Sequence, residues 1–128
     1  MISIKRIYED FSESDGYRIL VDRLWPRGVS KDEAHVDEWL KEIAPSETLR
    51  KWFNHEPEKF PAFKTKYKAE LKDKKETLDA IRKRGQHHRV TLLYGAKDTV
   101  HNQAQVLLEV LKNELLMLKM KRLTYMHL

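Results

Sequence analysis

The chain contains no cysteine. Disulfide staples, thiolate nucleophiles and thiolate metal sites are therefore excluded. No apolar run approaches the ~20 residues that a bilayer span needs. The opening stretch MISIKRIYEDF lacks the apolar core of a secretory signal. These absences lead us to expect a cytoplasmic protein with no membrane partner. The chain has no GxxxxGK[ST] loop, no GxGxxG fingerprint and no HExxH pair, so no motif names a nucleotide cofactor or a metal. His87 and His88 are adjacent and would diverge, while Asp98 and His101 could offer only two ligands from one helical turn. Neither a cofactor nor a metal is expected.

What is present is 128 residues, 41% of them apolar, enough for one packed core and too few for two. We expect a single domain over 1–128. Twenty-five basic residues outnumber twenty acidic ones, for a net charge of +5. That balance favours anionic partners, but the two signs are interleaved, and a solvated mixed surface accounts for most of it. The lysines from Lys64 to Lys75 and the run Arg82 to Arg84 alternate with Glu70, Asp73 and Glu76. They read more as such a surface than as a nucleic-acid track.

Periodicity divides the chain. Residues 2–8 alternate about Ile2, Ile4 and Ile7, residues 17–24 hold the apolar run Ile19-Leu20-Val21, and 89–95 read RVTLLYG. All three have strand character. The link between the first two ends at Gly16 and is short for a helical crossover, so a hairpin is expected there. After Pro26 and Gly28, Ser30 and Glu33 form a capping-box pattern. A helix should begin near Lys31, and the spacing of Val36, Trp39, Leu40 and Ile43 would carry it on. Ser46 should cap a short helix bearing Leu49, Trp52 and Phe53, with His55 shaping the turn after it. Pro57 and the stripe Phe60, Phe63, Tyr67 and Leu71 open a longer helix, with a break in the lysine-rich stretch and a stop at Gly85. Asp98 or Thr99 should cap a last helix with a stripe from Ala104 through Leu107, Leu108 and Leu111 to Leu118. Residues 119–128 are either an edge strand or a frayed tail. The fold class is α/β, a small central sheet, mostly parallel or mixed, flanked by helices.

Two segments share one layout, a buried strand running into a polar loop. These are Leu20-Val21-Asp22-Arg23-Leu24-Trp25-Pro26-Arg27-Gly28 and Leu92-Leu93-Tyr94-Gly95-Ala96-Lys97-Asp98, the latter leading to His101 and Asn102. Open α/β sheets bind ligands at the carboxyl ends of their strands, and arginine suits bidentate contact with phosphate or carboxylate. The expected site is thus a pocket for a small anion, phosphate or nucleotide-like. Arg23, Arg27 and Lys97 would hold the charge, Trp25 would wall or stack, Tyr94 and Asn102 would donate hydrogen bonds, and Arg50 could close the pocket. Asp98 is the candidate general base. The rival account makes Asp22 or Asp98 an internal salt-bridge partner of Arg23 or Arg27, with Trp25 in the core.

The segments DRLWPRG, APSETLRKWFNH and TLLYGAKD together resemble the domain of unknown function 488 family, in its YeaO-like branch, over about Ile4 to Leu115. The resemblance implies a compact α/β fold with a small central sheet, and a strand rather than a helix at 37–43. It also implies a cysteine where this chain has Tyr94 and a histidine where it has Gln103, so thiol or histidine chemistry at those positions does not transfer. It supplies no activity. A hydrolase or transferase acting on a nucleotide remains one expectation. A nucleic-acid-binding accessory protein and a non-catalytic interaction module are its rivals, and a homodimer is compatible with each.

Overall fold

A computed structural model of the chain describes residues 1–113. The expectations for 114–128, including Leu115, Leu118 and the edge strand or frayed tail at 119–128, lie outside the described residues. Four parallel strands, β1 (Ile2–Arg6), β2 (Tyr17–Leu20), β3 (Glu38–Trp39) and β4 (Val90–Tyr94), form one sheet in the order β1-β4-β2-β3. The apolar run of β4 explains its place. All five of its residues are buried, which demands a strand on each edge and cover on both faces. Ile2 pairs with Val90 on one side and Tyr17 with Val90 on the other.

That arrangement corrects the expected hairpin. The connection from β1 to β2 is a crossover past β4, made without a helix. It makes a hydrogen-bonded turn straight after β1, the Glu9 N–H donating to the Arg6 carbonyl at 3.1 Å, and then a 3-10 turn over Glu13–Asp15, closed by a reciprocal capping box between Ser12 and Asp15. Asp15 then anchors the returning chain through ion pairs with Arg18, itself 1% exposed, and with Lys5. The remaining Arg18 donors go to the His35 and Ala34 carbonyl oxygens at 3.0 and 2.9 Å, so the buried charge is fully partnered.

Helices α1 (Lys31–Ala34), α2 (Glu47–Phe53), α3 (Phe60–Leu71) and α4 (Lys75–His87) follow in order, and α5 begins at residue 103 and runs to the last described residue, 113. Alternation along the strands feeds two cores. Ile19, Val90, Leu92 and Tyr94 face α3, α4 and α5, where Phe63, Tyr67, Leu78, Leu107 and Leu111 are buried. Leu20 and Leu93 face the opposite side, against Ile7, Ala34, Trp25 and Trp39. A two-residue strand, not a helix, occupies 38–39, as the family resemblance implies, and a 3-10 turn over Lys41–Ile43 ends it. Helical spacing of Val36, Trp39 and Ile43 arises here without a helix: Val36 and Trp39 pack against the core of Leu20 and Leu93, and Ile43 lies in the core on the other face.

Three boundaries differ from expectation. Ser30 occupies the cap position of α1 but makes no side-chain capping bond. Helix α4 does not stop at Gly85 and continues to His87. Gly85 is instead a contact point, where a Cβ would come within 2.6 Å of the Ile2 side chain and push α4 off β1. The cap of α5 is neither Asp98 nor Thr99 but Asn102, whose side-chain oxygen accepts from the Gln105 backbone N–H at 3.0 Å. Ser46 caps α2 as expected, accepting from Leu49 N–H at 3.1 Å, and His55 takes a left-handed turn conformation, φ 56°.

Candidate site at the strand carboxyl ends

Because the strands are parallel, β1, β4 and β2 deliver their carboxyl ends to one side of the sheet. The loop after β2 meets the loop after β4 there. Gly95 is the contact. A Cβ on it would lie 2.8 Å from Asp22 Oδ2 and 3.3 Å from the Pro26 ring, so only glycine lets the two loops approach this closely. Pro26 is buried, and Gly28 turns the chain at φ +74°, a conformation that L side chains resist.

Asp22 lies at the junction. Its carboxylate accepts from the Gly95 N–H at 2.9 Å and from the Gln103 side-chain amide in the first turn of α5. Its own carbonyl accepts from the Trp39 indole at 2.7 Å. Burial pushes the Asp22 carboxyl up to about 6, even though both hydrogen bonds favour the charged form. The rival account, in which Asp22 pairs with Arg23 or Arg27, is therefore corrected for Asp22. The carboxylate binds two neutral amide groups, one on β4's loop and one on α5. Neither Asp22 nor Gln103 belongs to the sequence-derived site; the signals for them are that Asp22 ends a buried run and that Gln103 stands where the family resemblance implies a histidine.

The other nominated residues separate into two sets. Arg23 turns to the α2 approach, donating to the Pro45 carbonyl at 2.9 Å and the Ala44 carbonyl at 3.3 Å. Glu70 holds the next residue from the opposite side, accepting from the Ser46 N–H at 2.8 Å and hydroxyl at 2.6 Å. Arg50 is exposed on α2 and shares with Arg23 only the field at Glu47, whose carboxyl is lowered chiefly by Lys51. Trp25 donates to the Val29 carbonyl at 2.7 Å and meets Trp39 edge-on with centroids 5.4 Å apart, a brace for its own loop. Tyr94 is buried, and burial raises its phenol. Asn102 is 1% exposed, its oxygen spent on the α5 cap and its amide on the Asp98 carbonyl at 2.9 Å.

Asp98 closes the turn before α5. It accepts from the His101 and Val100 backbone N–H groups, each at 2.9 Å, and pairs with the His101 ring at 2.8 Å. Those bonds, the His101 N–H first, hold its carboxyl at about 2, a poor proton acceptor at neutral pH. Among the described residues no three His, Asp or Glu side chains are grouped to hold a metal. Arg27 and Lys97 remain. Both are exposed, and neither side chain has a hydrogen-bond or ion-pair partner among the described residues. They stand one residue beyond Pro26 and two beyond Gly95, the pair that joins the loops. Two grooves lie elsewhere, about 380 Å3 beside Phe60, Val100, Val106 and Leu108 and about 250 Å3 beside Leu71, Leu78 and Val110. None of the nominated residues lines either. Among the described residues no helix is long and apolar enough to cross a membrane.

Comparison with known proteins gives a family for this geometry. The chain belongs to the domain of unknown function 488 family: the model of the inactive DUF488-N3 subclade matches residues 1–123. It is 45% identical over 112 residues to the uncharacterized protein YeaO of Escherichia coli K12, covering 88% of this chain and 97% of that one. It is 39% identical over 110 residues to uncharacterized proteins of Mycobacterium bovis and Mycobacterium tuberculosis, 86% of this chain and 92% of each relative. No solved structure matches.

Proposed function

We propose that the chain binds a small phosphate- or carboxylate-bearing ligand at the carboxyl ends of β1, β4 and β2, and carries out no chemistry on it. The observation that carries this reading is the Pro26–Gly95 contact, which brings the unpartnered cations Arg27 and Lys97 to neighbouring loops at the strand ends. Two exposed cations beside the end of a parallel sheet form a favourable place for an anion.

Binding without catalysis is supported from two directions. The family model that matches is described as an inactive subclade. Asp98, the one carboxylate beside Lys97 in sequence, is held at about 2 by its own turn. Asp22 has a carboxyl poised near 6, yet both its bonds go to Gly95 and Gln103, so its proton affinity is a consequence of burial within a structural junction. The test is titration with inorganic phosphate, ribose 5-phosphate and a panel of nucleotides, followed by melting temperature and calorimetry. The native protein should be stabilised, and the double variant Arg27→Ala, Lys97→Ala should lose that response with its unliganded melting temperature unchanged. An equal response in both proteins would remove the site. Turnover of any bound ligand would overturn the non-catalytic half of the reading.

A further inference from the structure

We infer that the ligand of this site is an aromatic phosphate, of the nucleoside monophosphate class, and that Arg6 and Tyr8 form the half of the site that receives its ring. The inference rests on the anion-binding reading above and adds two residues that the sequence did not single out. Arg6 ends β1. Its Nε donates to the Ala96 carbonyl at 2.8 Å, in the loop that carries Lys97. Its two terminal nitrogens have no hydrogen-bond partner among the described residues. The guanidinium lies over the Tyr8 ring, 4.8 Å from its centroid, and the Tyr8 hydroxyl donates to the Arg27 carbonyl at 2.8 Å.

One arginine and one tyrosine thus join three loops. The β1 end holds the β4 loop through Ala96 and the β2 loop through Arg27. Despite those attachments the Tyr8 side chain stays 46% exposed. A large ring so left in water, against the Arg6 guanidinium and joined to the loop that carries Arg27, differs from the buried rings of the cores. An aromatic ring fixed at its hydroxyl and backed by a guanidinium is a rigid stacking surface. The segment carries two carboxylates: Glu9 is turned back onto the Arg6 backbone N–H at 2.9 Å, which spends one of its oxygens, and Asp10 is exposed, its backbone carbonyl accepting from Lys5 Nζ at 2.6 Å. A ligand that offers both a phosphate and a flat ring uses both features, whereas a bare phosphate uses only the cations.

The experiment compares adenosine 5′-monophosphate, ribose 5-phosphate and inorganic phosphate by calorimetry on the native protein, Tyr8→Phe and Tyr8→Leu. Stacking on one ring should make the nucleotide bind about tenfold more tightly than ribose 5-phosphate. Tyr8→Phe should keep that ratio. Tyr8→Leu should bring it close to one while keeping the ribose 5-phosphate affinity of Tyr8→Phe, which lacks the same hydroxyl bond to Arg27, and that equality also shows that the variant is folded and its cations are in place. Equal binding of nucleotide and ribose 5-phosphate by the native protein, or a ratio that survives Tyr8→Leu, would overturn the ring subsite and leave the anion site standing. No binding of any of the three would overturn both.

Discussion

The two halves of the strand-end surface are built from the same residue types and put to different uses. On the β2 side, Asp22, Arg23, Trp25 and Trp39 all spend their polar atoms inside the protein, on Gly95 and Gln103, on Pro45 and Ala44, on Val29, and on Asp22 itself. By contrast Arg27, at the far end of the β2 loop, Lys97 in the β4 loop and the terminal nitrogens of Arg6 at the end of β1 have no partner among the described residues. The difference teaches that a conspicuous motif is not thereby a binding motif. DRLWPRG is conspicuous because four separate pieces of structure meet on it, and the cations left for a ligand are its last arginine and residues outside it.

The largest effect should come from the element on which both halves depend. Helix α5 starts at the Asn102 cap, presents Gln103 to Asp22, and is seated by Leu107 and Leu111, both fully buried. Leu107→Ala or Leu111→Ala should cost about 2–5 kcal/mol in chemical denaturation, the range for a buried leucine. A cost under about 1 kcal/mol would show that α5 is not the support of this surface.

The next effect sharpens the inward half by its pH dependence. The Asp22 carboxyl is raised to about 6 in the folded chain from 3.8. A carboxyl with a raised folded value binds more protons folded than unfolded between those two values, so its contribution to stability falls as pH rises through that window and is constant above it. A shift of this size corresponds to about 3 kcal/mol. Asp22→Asn keeps an acceptor for the Gly95 N–H and cannot ionise. The native protein should therefore lose stability relative to Asp22→Asn by roughly that amount between pH 4 and pH 7. Comparison with this variant matters because Asp15, Asp98 and Glu109, whose carboxyls are lowered, act in the opposite direction as pH falls, and they cancel in the difference. A flat difference would mean that Asp22 is solvated and that the inward half is open.

Arg23 tests the same half more gently. Its loss removes two hydrogen bonds to carbonyl oxygens, and Arg23→Ala should cost about 1–2 kcal/mol while leaving the response to phosphate intact. If it instead abolished that response at unchanged stability, the division between the halves would be wrong.

How much of this was legible can be argued residue by residue. The strands around Ile4, Ile19 and Leu92 were legible, because apolar runs with turn signals have one reading. Their order was not. Nothing local in VTLLY says that it inserts between the first two strands, and pairing is decided by burial across the whole chain. Gly85 is deceptive for the same reason. A glycine after a basic turn looks like a helix stop, and only the distant Ile2 reveals it as a contact. That the loops after β2 and β4 follow buried strands was legible from the two strand-loop segments, and their meeting at one end of the sheet is where the proposed site lies. The roles within it were not, because the sequence shows that Arg23 and Arg27 are near each other and is silent on which of them has carbonyl oxygens to bind. Tyr8 carried no signal at all. It follows a half-buried strand as any loop tyrosine would, and its value depends on the Arg27 carbonyl, nineteen positions away.

The smallest expected effect on stability bears most on function. Arg27 and Lys97 are exposed and contribute no side-chain hydrogen bond to the described structure, so Arg27→Ala and Lys97→Ala should each change unfolding free energy by less than about 0.5 kcal/mol. An exposed cation with no partner in the described fold is free to act on a ligand, and the loss of each charge should weaken phosphate binding in a salt-dependent manner. If both cations act on one anion, as proposed, the two variants together should weaken it by more than either alone, since Pro26 and Gly95 bring their loops together. Measured at low ionic strength and again at about 0.15 M, where the screening length is about 8 Å, the difference between native and double variant should shrink. A loss in the Arg27→Ala protein with none in Lys97→Ala would place the anion on the β2 loop alone and dissolve the outward half into a single residue. A destabilisation above 1 kcal/mol in either variant would mean that the side chain has a structural partner after all, and the contrast between an inward and an outward half would no longer hold.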